Sequence, residues 1–170
     1  MRNTSQIGEV SRTQVIAQLT LCGKRLLAPL ADHQRYDLVI DEEGRFLRVQ
    51  VKTGRLIRGA VMFNPCSIDS RRKEGGCLRK GYAEEVEFFG VYCPENGRCY
   101  LVPVGDVAKT TCYLRIDAPK NGQKTHLRWA ERYEIRKEWS WRDSNPRPSE
   151  CHSDALPAAP QPQSCRTELI

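Results

Sequence analysis

Four side chains of this chain are of the types that hydrolysis of a phosphodiester bond requires. They are the carboxylates of Glu9 and Asp37, the amide of Gln50 and the amine of Lys52. Such hydrolysis needs a metal ion that activates water and offsets charge on the scissile phosphate, and Mg²⁺ prefers oxygen ligands. A lysine beside the attacking water orients it and stabilises the developing negative charge. These residues form our candidate catalytic group, provided that the fold brings them together.

Two neighbouring strands must position three of these four residues. The segments 36–41 (YDLVID) and 46–52 (FLRVQVK) have the composition of strands. The acidic turn 42–44 (EEG) between them predicts a hairpin. Asp37 would then lie on the first strand of the hairpin, and the amide and the amine on the second.

The second strand of this hairpin also predicts which face carries the chemistry. Side chains alternate along a strand, so Gln50 and Lys52 point to one face. The other face would carry Leu47, Val49 and Val51, which are apolar and could pack in a core. Asp37 needs only to lie opposite Gln50 to complete the set.

A predicted helix over residues 8–22 carries Glu9, and Gly23 is its expected stop. The expected buried stripe consists of Val10, Ala17 and Leu21, with Ile16 and Leu19 beside it. Glu9 falls in the first turn of this helix, where a carboxylate is stabilised by the helix dipole. A structural role at the helix start therefore competes with a catalytic one.

Further strand signals lie on both sides of a strong turn sequence at 94–97 (PENG). The expected additional strands are 25–30, 61–64, 87–93, 98–104 and 110–116. The segment 121–135 is expected to be helical at its end. Together these elements predict an α/β domain over residues 1–138, with a mixed central sheet flanked by helices.

Positive charge is concentrated in residues 45–80. The only acids of this stretch are Asp69 and Glu74, so its net positive charge exceeds that of the whole chain, which is formally +6. Such a concentration suits a polyanion, because each phosphate contact releases condensed counterions. A solvated basic face without a partner is the alternative. Residues 65–80 of this stretch are expected to form a loop, which Tyr82 would close onto the core. The candidate phosphate contacts after the catalytic strand are Arg55, Arg58, Arg71, Arg72, Lys73, Arg79 and Lys80.

Several other classes of protein are disfavoured. No apolar run approaches the roughly 20 residues that span a bilayer, and the polar N-terminus lacks the apolar centre of a signal peptide. We therefore expect a cytoplasmic protein, associated with the nucleoid when bound to DNA. None of the eight cysteines forms a CxxC pair, which disfavours a zinc site with standard spacing. Cys93 and Cys99 flank the predicted turn, and we expect buried free thiols.

The order of the candidate residues resembles a known family. PD-(D/E)XK nucleases have a glutamate in a first helix, then an aspartate on a strand, and then a (D/E/Q)-x-K motif on the next strand. The segments GEVSRTQVIAQLTLCG, RYDLVID, VQVKTGR and EFFGVYCPENGRCYLVPV resemble the branch of these endonucleases that is associated with group I introns. The resemblance covers roughly residues 7–135. It implies the restriction-endonuclease-like fold of that superfamily and cleavage of double-stranded DNA.

The resemblance also implies a role for each position. Asp37 and Gln50 would bind Mg²⁺, or Mn²⁺ in its place, with the backbone carbonyl of Val51, while Glu9 would be the helix acid and Lys52 the catalytic lysine. Gln50 replaces the usual acid and removes one negative charge from the metal site, a variant that the intron-associated branch shares. Two milder departures are Tyr36 in place of the proline of the superfamily's name and Glu87 in place of an aspartate.

The C-terminal segment 139–170 differs in kind from the preceding domain. Five of the ten prolines lie within 140–170 without a convincing period, so a disordered tail is expected. The stretch Asp143–Arg147 (DSNPR) can be encoded by a DNA sequence whose reverse complement resembles the T-arm of a transfer RNA gene. We interpret the tail as translated sequence from a neighbouring transfer RNA gene, without a catalytic role.

Four functions compete at this point. The leading hypothesis is a homing-type endonuclease with a long specific site, acting as a homodimer or homotetramer because one such active site cuts one strand. The second is a structure-specific nuclease that acts on junctions or in repair. The third is a catalytically inactive nucleic-acid-binding protein, for which Gln50 is the argument; an RNA nuclease is a weaker fourth, since fold alone does not settle substrate.

Overall fold

A computed structural model describes residues 3–31, 34–69, 78–108, 110–119 and 127–136 of the chain. Its regular elements are one α-helix, ten strands and two 3₁₀ turns. In chain order they are α1 (Thr4–Leu21), β1 (Arg25–Leu27), β2 (Leu38–Glu42), β3 (Arg45–Thr53), β4 (Arg55–Ile57), β5 (Ala60–Phe63), β6 (Ser67–Asp69), β7 (Leu78–Lys80), β8 (Phe88–Cys93), β9 (Arg98–Pro103), a 3₁₀ turn at Val104–Asp106, β10 (Cys112–Arg115) and a 3₁₀ turn at Ala130–Tyr133. Within these ranges no helix is long and apolar enough to cross a membrane.

Helix α1 begins earlier than its apolar pattern predicted. Asn3 caps it: the Asn3 side chain accepts from the Ser5 N–H, and the Gln6 side chain accepts from the Asn3 N–H. This reciprocal pair satisfies two of the backbone donors that every helix start leaves open. Glu9 consequently lies in the second turn, so its expected place in the first turn was wrong. The predicted stop is confirmed, since Gly23 has φ +74° and its N–H donates to the carbonyl of Thr20.

The buried stripe of α1 is also different from the expected one. Ser11, Val15 and Leu19 are buried, whereas Val10 is 38% exposed and Leu21 is 73% exposed. The helix lies so close to the sheet that a Cβ on Gly90 of β8 would stand 2.9 Å from a methyl group of Val15. Because apolar residues occur on more than one side of this helix, only the sheet surface selects the face that is buried.

Five strands form the central sheet in the order β1-β2-β3-β8-β9. All neighbours are antiparallel except β3 and β8, which are parallel, so the sheet is mixed as predicted. The hairpin between β2 and β3 is confirmed, with Glu43 at φ 50° and Gly44 at φ 87° in its two-residue turn. Two successive positive φ angles match the twist of the strands that such a turn joins.

The predicted alternation of β3 is confirmed by its burial. Leu47, Val49 and Val51 are buried in a core that includes Val15 and Leu19 of α1. Gln50 and Lys52 are half-buried on the opposite face. The helix therefore covers the apolar face of this strand and leaves the polar face to the other side of the molecule.

A second core lies on that other side of the sheet. A three-stranded sheet in the order β10-β5-β4 packs there, with Phe63 and Leu114 buried against Phe89 and Val91 of β8. Among the described residues one α-helix flanks the central sheet, and the layer on its other face is this small sheet. The α/β class is as predicted, whereas β4 was not expected.

Two segments differ from their expected conformation. The basic stretch 65–80 was expected to be a loop, but its ends pair as β6 and β7, with Ser67 opposite Lys80. The expected helix at the end of 121–135 is only the 3₁₀ turn, which the Tyr133 hydroxyl holds by donating to Asp106 at 3.0 Å. Residues 70–77, 109, 120–126 and 137–170, including the predicted tail, lie outside the described ranges.

The two cysteines beside the 94–97 turn are close in the sheet without facing each other. Cys93 pairs with Arg98 and Tyr92 pairs with Cys99, so the two thiols belong to successive pairs and point to opposite faces. Both are buried and free. Burial raises the pKa of Cys93 to about 11 and that of Cys99 to about 12, which makes both thiols poor nucleophiles at neutral pH.

Candidate active site

Asp37 lies directly before β2 and is held by the neighbouring strand. Its backbone N–H donates to the carbonyl of Val49 at 2.9 Å. One step along the register from the Leu38–Val49 pair, this places Asp37 opposite Gln50, as the hairpin predicted. The carboxylate oxygen Oδ2 accepts from the Val51 N–H at 2.6 Å and from Gln50 Nε2 at 2.5 Å.

Three oxygen-bearing groups meet at this point of the sheet. The amide nitrogen of Gln50 lies 2.5 Å from Asp37 Oδ2 and 3.3 Å from the backbone oxygen of Val51. A group with partial positive charge thus bridges two oxygen atoms that accept hydrogen bonds. The carboxylate, the side-chain amide and the backbone carbonyl are close enough to act on one shared partner.

The charge of Asp37 is only partly compensated. Burial raises the pKa of its carboxyl above the ordinary value, and the nearby charge of Glu9 acts in the same direction. The Val51 N–H and the positive charges of Lys52 and Arg12 oppose this shift without cancelling it. A half-buried carboxyl whose charged form is disfavoured is stabilised by a cation beside it.

Glu9 is exposed on α1, and Ser11 in the same helix contacts the end of β3. Ser11 is 1% exposed, and its Oγ lies 2.6 Å from Thr53 Oγ1 at the end of β3. Because Ser11 Oγ also donates to the carbonyl of Ile7 at 3.0 Å, Thr53 is the donor between the two hydroxyls. This contact joins the turn of α1 that follows Glu9 to the residue that follows Lys52.

Lys52 extends along the same face toward residues that are distant in the chain. Its Nζ donates to the hydroxyl of Tyr82 at 3.2 Å and to the backbone oxygen of Cys66 at 3.5 Å. The nitrogen lies 4.7 Å from the centroid of the Tyr82 ring. Tyr82 was expected only to close the basic loop onto the core. It is buried, but no signal of spacing or composition linked it to a lysine thirty residues away.

Arg48 and Glu87 form an ion pair next to this group. The two side chains approach to 2.6 Å, and the Glu87 carboxylate also accepts from the Arg48 backbone N–H at 2.6 Å. Partial burial acts to raise the pKa of Glu87, but the hydrogen bonds and charge of Arg48 outweigh it and lower the pKa. Glu87 is thereby a partner of Arg48.

The candidate phosphate contacts divide into three groups. Arg55 begins β4, and Arg58 lies in the turn between β4 and β5; both are exposed. Arg79 and Lys80 belong to β7, whose backbone alone is described. Arg71, Arg72 and Lys73 lie outside the described residues.

The ligand types at this site differ from those of a metal centre built of acids, thiols or imidazoles. Over the ranges that the structure describes, no three His, Cys, Asp or Glu side chains group as metal ligands. The atoms that converge around Asp37 instead include an amide and a main-chain carbonyl. Both are oxygen donors of the hard type that Mg²⁺ and Mn²⁺ accept.

The chain is similar to known proteins in both sequence and fold. The sequence matches the model of a family described as PD-(D/E)XK endonuclease over residues 2–136. Among solved structures, the bacterial homing endonuclease I-Ssp6803I is similar at a TM-score of 0.62 and 24% sequence identity. The similarity covers 78% of this chain and 89% of that one. None of the curated proteins compared with the chain matches it.

The chain therefore belongs to the PD-(D/E)XK endonuclease family, and it has that family's restriction-endonuclease-like α/β fold. The family resemblance and the fold class predicted from the sequence are confirmed. Membership places the protein among nucleases, which are hydrolases of phosphodiester bonds. Nucleases of this family generally use divalent metal ions.

Proposed function

We propose that this protein is a Mg²⁺-dependent endonuclease that hydrolyses phosphodiester bonds in double-stranded DNA. Asp37, Gln50 and the carbonyl of Val51 hold the metal, and Lys52 acts beside the attacking water. The observation that carries the proposal is that the carboxylate of Asp37 and the backbone oxygen of Val51 both contact the side-chain amide of Gln50. Family membership supports the reaction class.

The residues present fit a hard divalent cation. Gln50 Nε2 is the hydrogen-bond donor between Asp37 and Val51, and a half-turn of its terminal amide replaces the nitrogen by Oε1. A carboxylate, an amide oxygen and a backbone oxygen then face the same partner, which is a donor set that Mg²⁺ and Mn²⁺ accept. When bound, the metal ion supplies charge that offsets the negative scissile phosphate and lowers the pKa of a water molecule.

The protein side chains have distinct tasks in this proposal. Asp37 supplies the negative charge of the site, and its burial favours pairing with a cation. Lys52 directs an ammonium group at the attacking water and the developing negative charge. Glu9, on the exposed side of α1, contributes a second carboxylate directly or through water. Its charge already influences Asp37.

Double-stranded DNA is the substrate that the charge pattern supports best. Arg55 and Arg58 are exposed on the hairpin that directly follows the strand carrying Lys52, so phosphates beside the cleaved bond would lie within their reach. We assign to this DNA-contacting group also Arg71, Arg72, Lys73, Arg79 and Lys80. Phosphate contacts position a duplex and give a strong dependence of affinity on salt.

The homing type of cleavage is the finer part of the proposal. It is supported by the likeness to group I intron endonucleases and by the similar fold of a bacterial homing endonuclease. One active site of this kind cuts one strand, so a homodimer or homotetramer would make a double-strand break. The transfer RNA-like tail (139–170) suggests an uninterrupted transfer RNA gene as the target.

The test is cleavage of a supercoiled plasmid that carries this transfer RNA gene, by purified full-length protein. The arms are Mg²⁺, Mn²⁺, chelator, Lys52→Ala with Mg²⁺ and, as a charge-matched control, Arg25→Ala, whose side chain is 71% exposed on β1. We expect discrete cutting that requires metal and Lys52 and persists in the Arg25 control. Cutting that survives both chelator and Lys52→Ala would contradict the proposal.

Two other outcomes would assign a different function. Cleavage of branched DNA without preference for the plasmid site would identify a structure-specific nuclease. Salt-dependent binding without cutting by the wild type would identify a nucleic-acid-binding protein whose metal site has decayed. The observation that favours this inactive nucleic-acid-binding protein is Gln50, which stands where the family usually has an acid.

A further inference from the structure

The ring of Tyr82 meets the end of the Lys52 side chain on the face of the sheet opposite α1. Tyr82 is 6% exposed, and its hydroxyl accepts a hydrogen bond from Lys52 Nζ at 3.2 Å. The same nitrogen lies 4.7 Å from the ring centroid. The ammonium group is thus in contact with both the polar and the apolar part of one side chain.

We propose that Tyr82 is a positioning residue that holds the ammonium of Lys52 in place without neutralising its charge. This inference rests on the proposed function, because it assumes that Lys52 acts on the phosphate. Tyr82 itself need not touch the substrate. Its contribution is to restrict a side chain that otherwise has four rotatable bonds, and to keep its charge available.

The partners of Lys52 support this division of tasks. Its second acceptor is the backbone oxygen of Cys66 at 3.5 Å, which is also uncharged. Among the ion pairs between described residues, none involves Lys52. A carboxylate in the place of the phenol would pair with the ammonium and weaken its attraction for a phosphate. An ammonium has three donors, so one remains for water or substrate.

Tyr82 is itself held by residues from separate parts of the chain. Phe89 of β8 meets its ring edge-on at a centroid distance of 5.6 Å. The guanidinium of Arg35 lies 3.8 Å from the ring centroid, and Arg35 pairs with Glu85. Arg35 also donates to Ser67 Oγ at 2.9 Å and to the carbonyl of Gly81 at 2.6 Å. The ring therefore contacts residues of several segments besides Lys52, and these contacts favour one orientation of the ring.

The first test compares Tyr82→Phe with Tyr100→Phe. Both changes remove one hydroxyl from a buried ring, and Tyr100 makes the matched control because its hydroxyl accepts from Asn96 at 2.9 Å and not from Lys52. We expect Tyr82→Phe to lower kcat by about tenfold, with KM and DNA affinity unchanged. Tyr100→Phe should leave kcat unchanged.

A second test does not depend on cleavage. An amine-reactive reagent is applied to metal-free protein, and labelling of Lys52 is followed by mass spectrometry with Lys24 as internal reference. Release of Lys52 from Tyr82 should increase its labelling several-fold in Tyr82→Phe and not in Tyr100→Phe. Unchanged labelling of Lys52 in Tyr82→Phe, or an equal fall of kcat in Tyr82→Phe and Tyr100→Phe, would overturn the positioning role. If the wild type cuts no DNA, the proposed function fails, and the labelling result alone decides whether Tyr82 holds Lys52.

Discussion

The two ends of the candidate site are built in different ways. At one end, Asp37, Gln50 and Val51 come from a single hairpin and are joined by backbone and side-chain hydrogen bonds of adjacent strands. At the other end, Lys52 meets Tyr82 and Cys66, which reach it from other segments. The first end holds the half-buried negative charge of Asp37, and the second holds the positive charge of Lys52 with neutral oxygen atoms. Each end thus keeps its charge available for a ligand.

The largest effect should come from removing the negative charge at the first end. We expect Asp37→Asn to lower the cleavage rate by at least about 1,000-fold, because a metal site without its carboxylate loses both affinity and charge. Plasmid cleavage at saturating Mg²⁺ measures this effect. Retention of more than a tenth of the wild-type rate would show that Asp37 is not a metal ligand.

The same substitution should stabilise the metal-free protein at neutral pH. Burial raises the pKa of the Asp37 carboxyl in the folded protein. The protonated carboxyl therefore favours the folded state fully at a pH below 3.8, the pKa in the unfolded chain, and this stabilisation is lost as pH rises through the pKa of the folded state. Asp37→Asn lacks this loss, so its advantage in urea unfolding with chelator should grow from pH 4 to pH 7. A pH-independent difference would contradict this account.

Gln50→Glu would strengthen the contrast between the two ends. It replaces the donor to Asp37 by a second carboxylate, so metal-free protein should be less stable, while bound metal gains a charged ligand. We expect the Mg²⁺ concentration for half-maximal cleavage to fall by about tenfold. Titration of cleavage against Mg²⁺ measures this, with Gln50→Ala as the variant that should need more metal. A higher Mg²⁺ requirement in Gln50→Glu would argue against Gln50 as a ligand.

Ser11→Ala would loosen the connection between α1 and the strand that carries both ends. It removes the contact with Thr53, and we expect a loss of about 1 kcal/mol in the free energy of unfolding and a several-fold fall in cleavage rate. Thr13→Ala is the control, since its hydroxyl donates only to a carbonyl of its own exposed helix turn. Equal effects of the two changes would mean that the contact does not position Glu9.

The smallest effect should come from Glu87→Gln, beside the site. Since the pKa of Glu87 is lowered in the fold, its pairing with Arg48 stabilises the protein above the ordinary value of 4.5 and is lost as pH falls through the folded value. Both side chains are about one-third exposed, so we expect only about 0.5 kcal/mol at pH 7. Thermal unfolding at pH 7 and below pH 4 should show a difference that disappears in acid.

Local sequence predicted the first end of the site and most of the central sheet. The alternation of β3, the turn with Glu43 and Gly44, and the pairing of Asp37 with Gln50 all follow from the two-residue period of a strand and from hairpin geometry. The strands on both sides of the 94–97 turn were predicted for the same reason. Such features depend on neighbours that are close in the chain.

The packing of separate elements determines which face of α1 is buried and which residues hold Lys52. The surface of the sheet, where Gly90 allows close approach, selected Ser11, Val15 and Leu19. The apolar pattern along the helix had placed Leu19 beside the expected stripe and had not identified Ser11 or Val15. Tyr82 carries no pattern that relates it to β3, because its partner lies thirty residues away. Periodicity records the geometry of one element, whereas contacts between distant segments depend on how several elements pack.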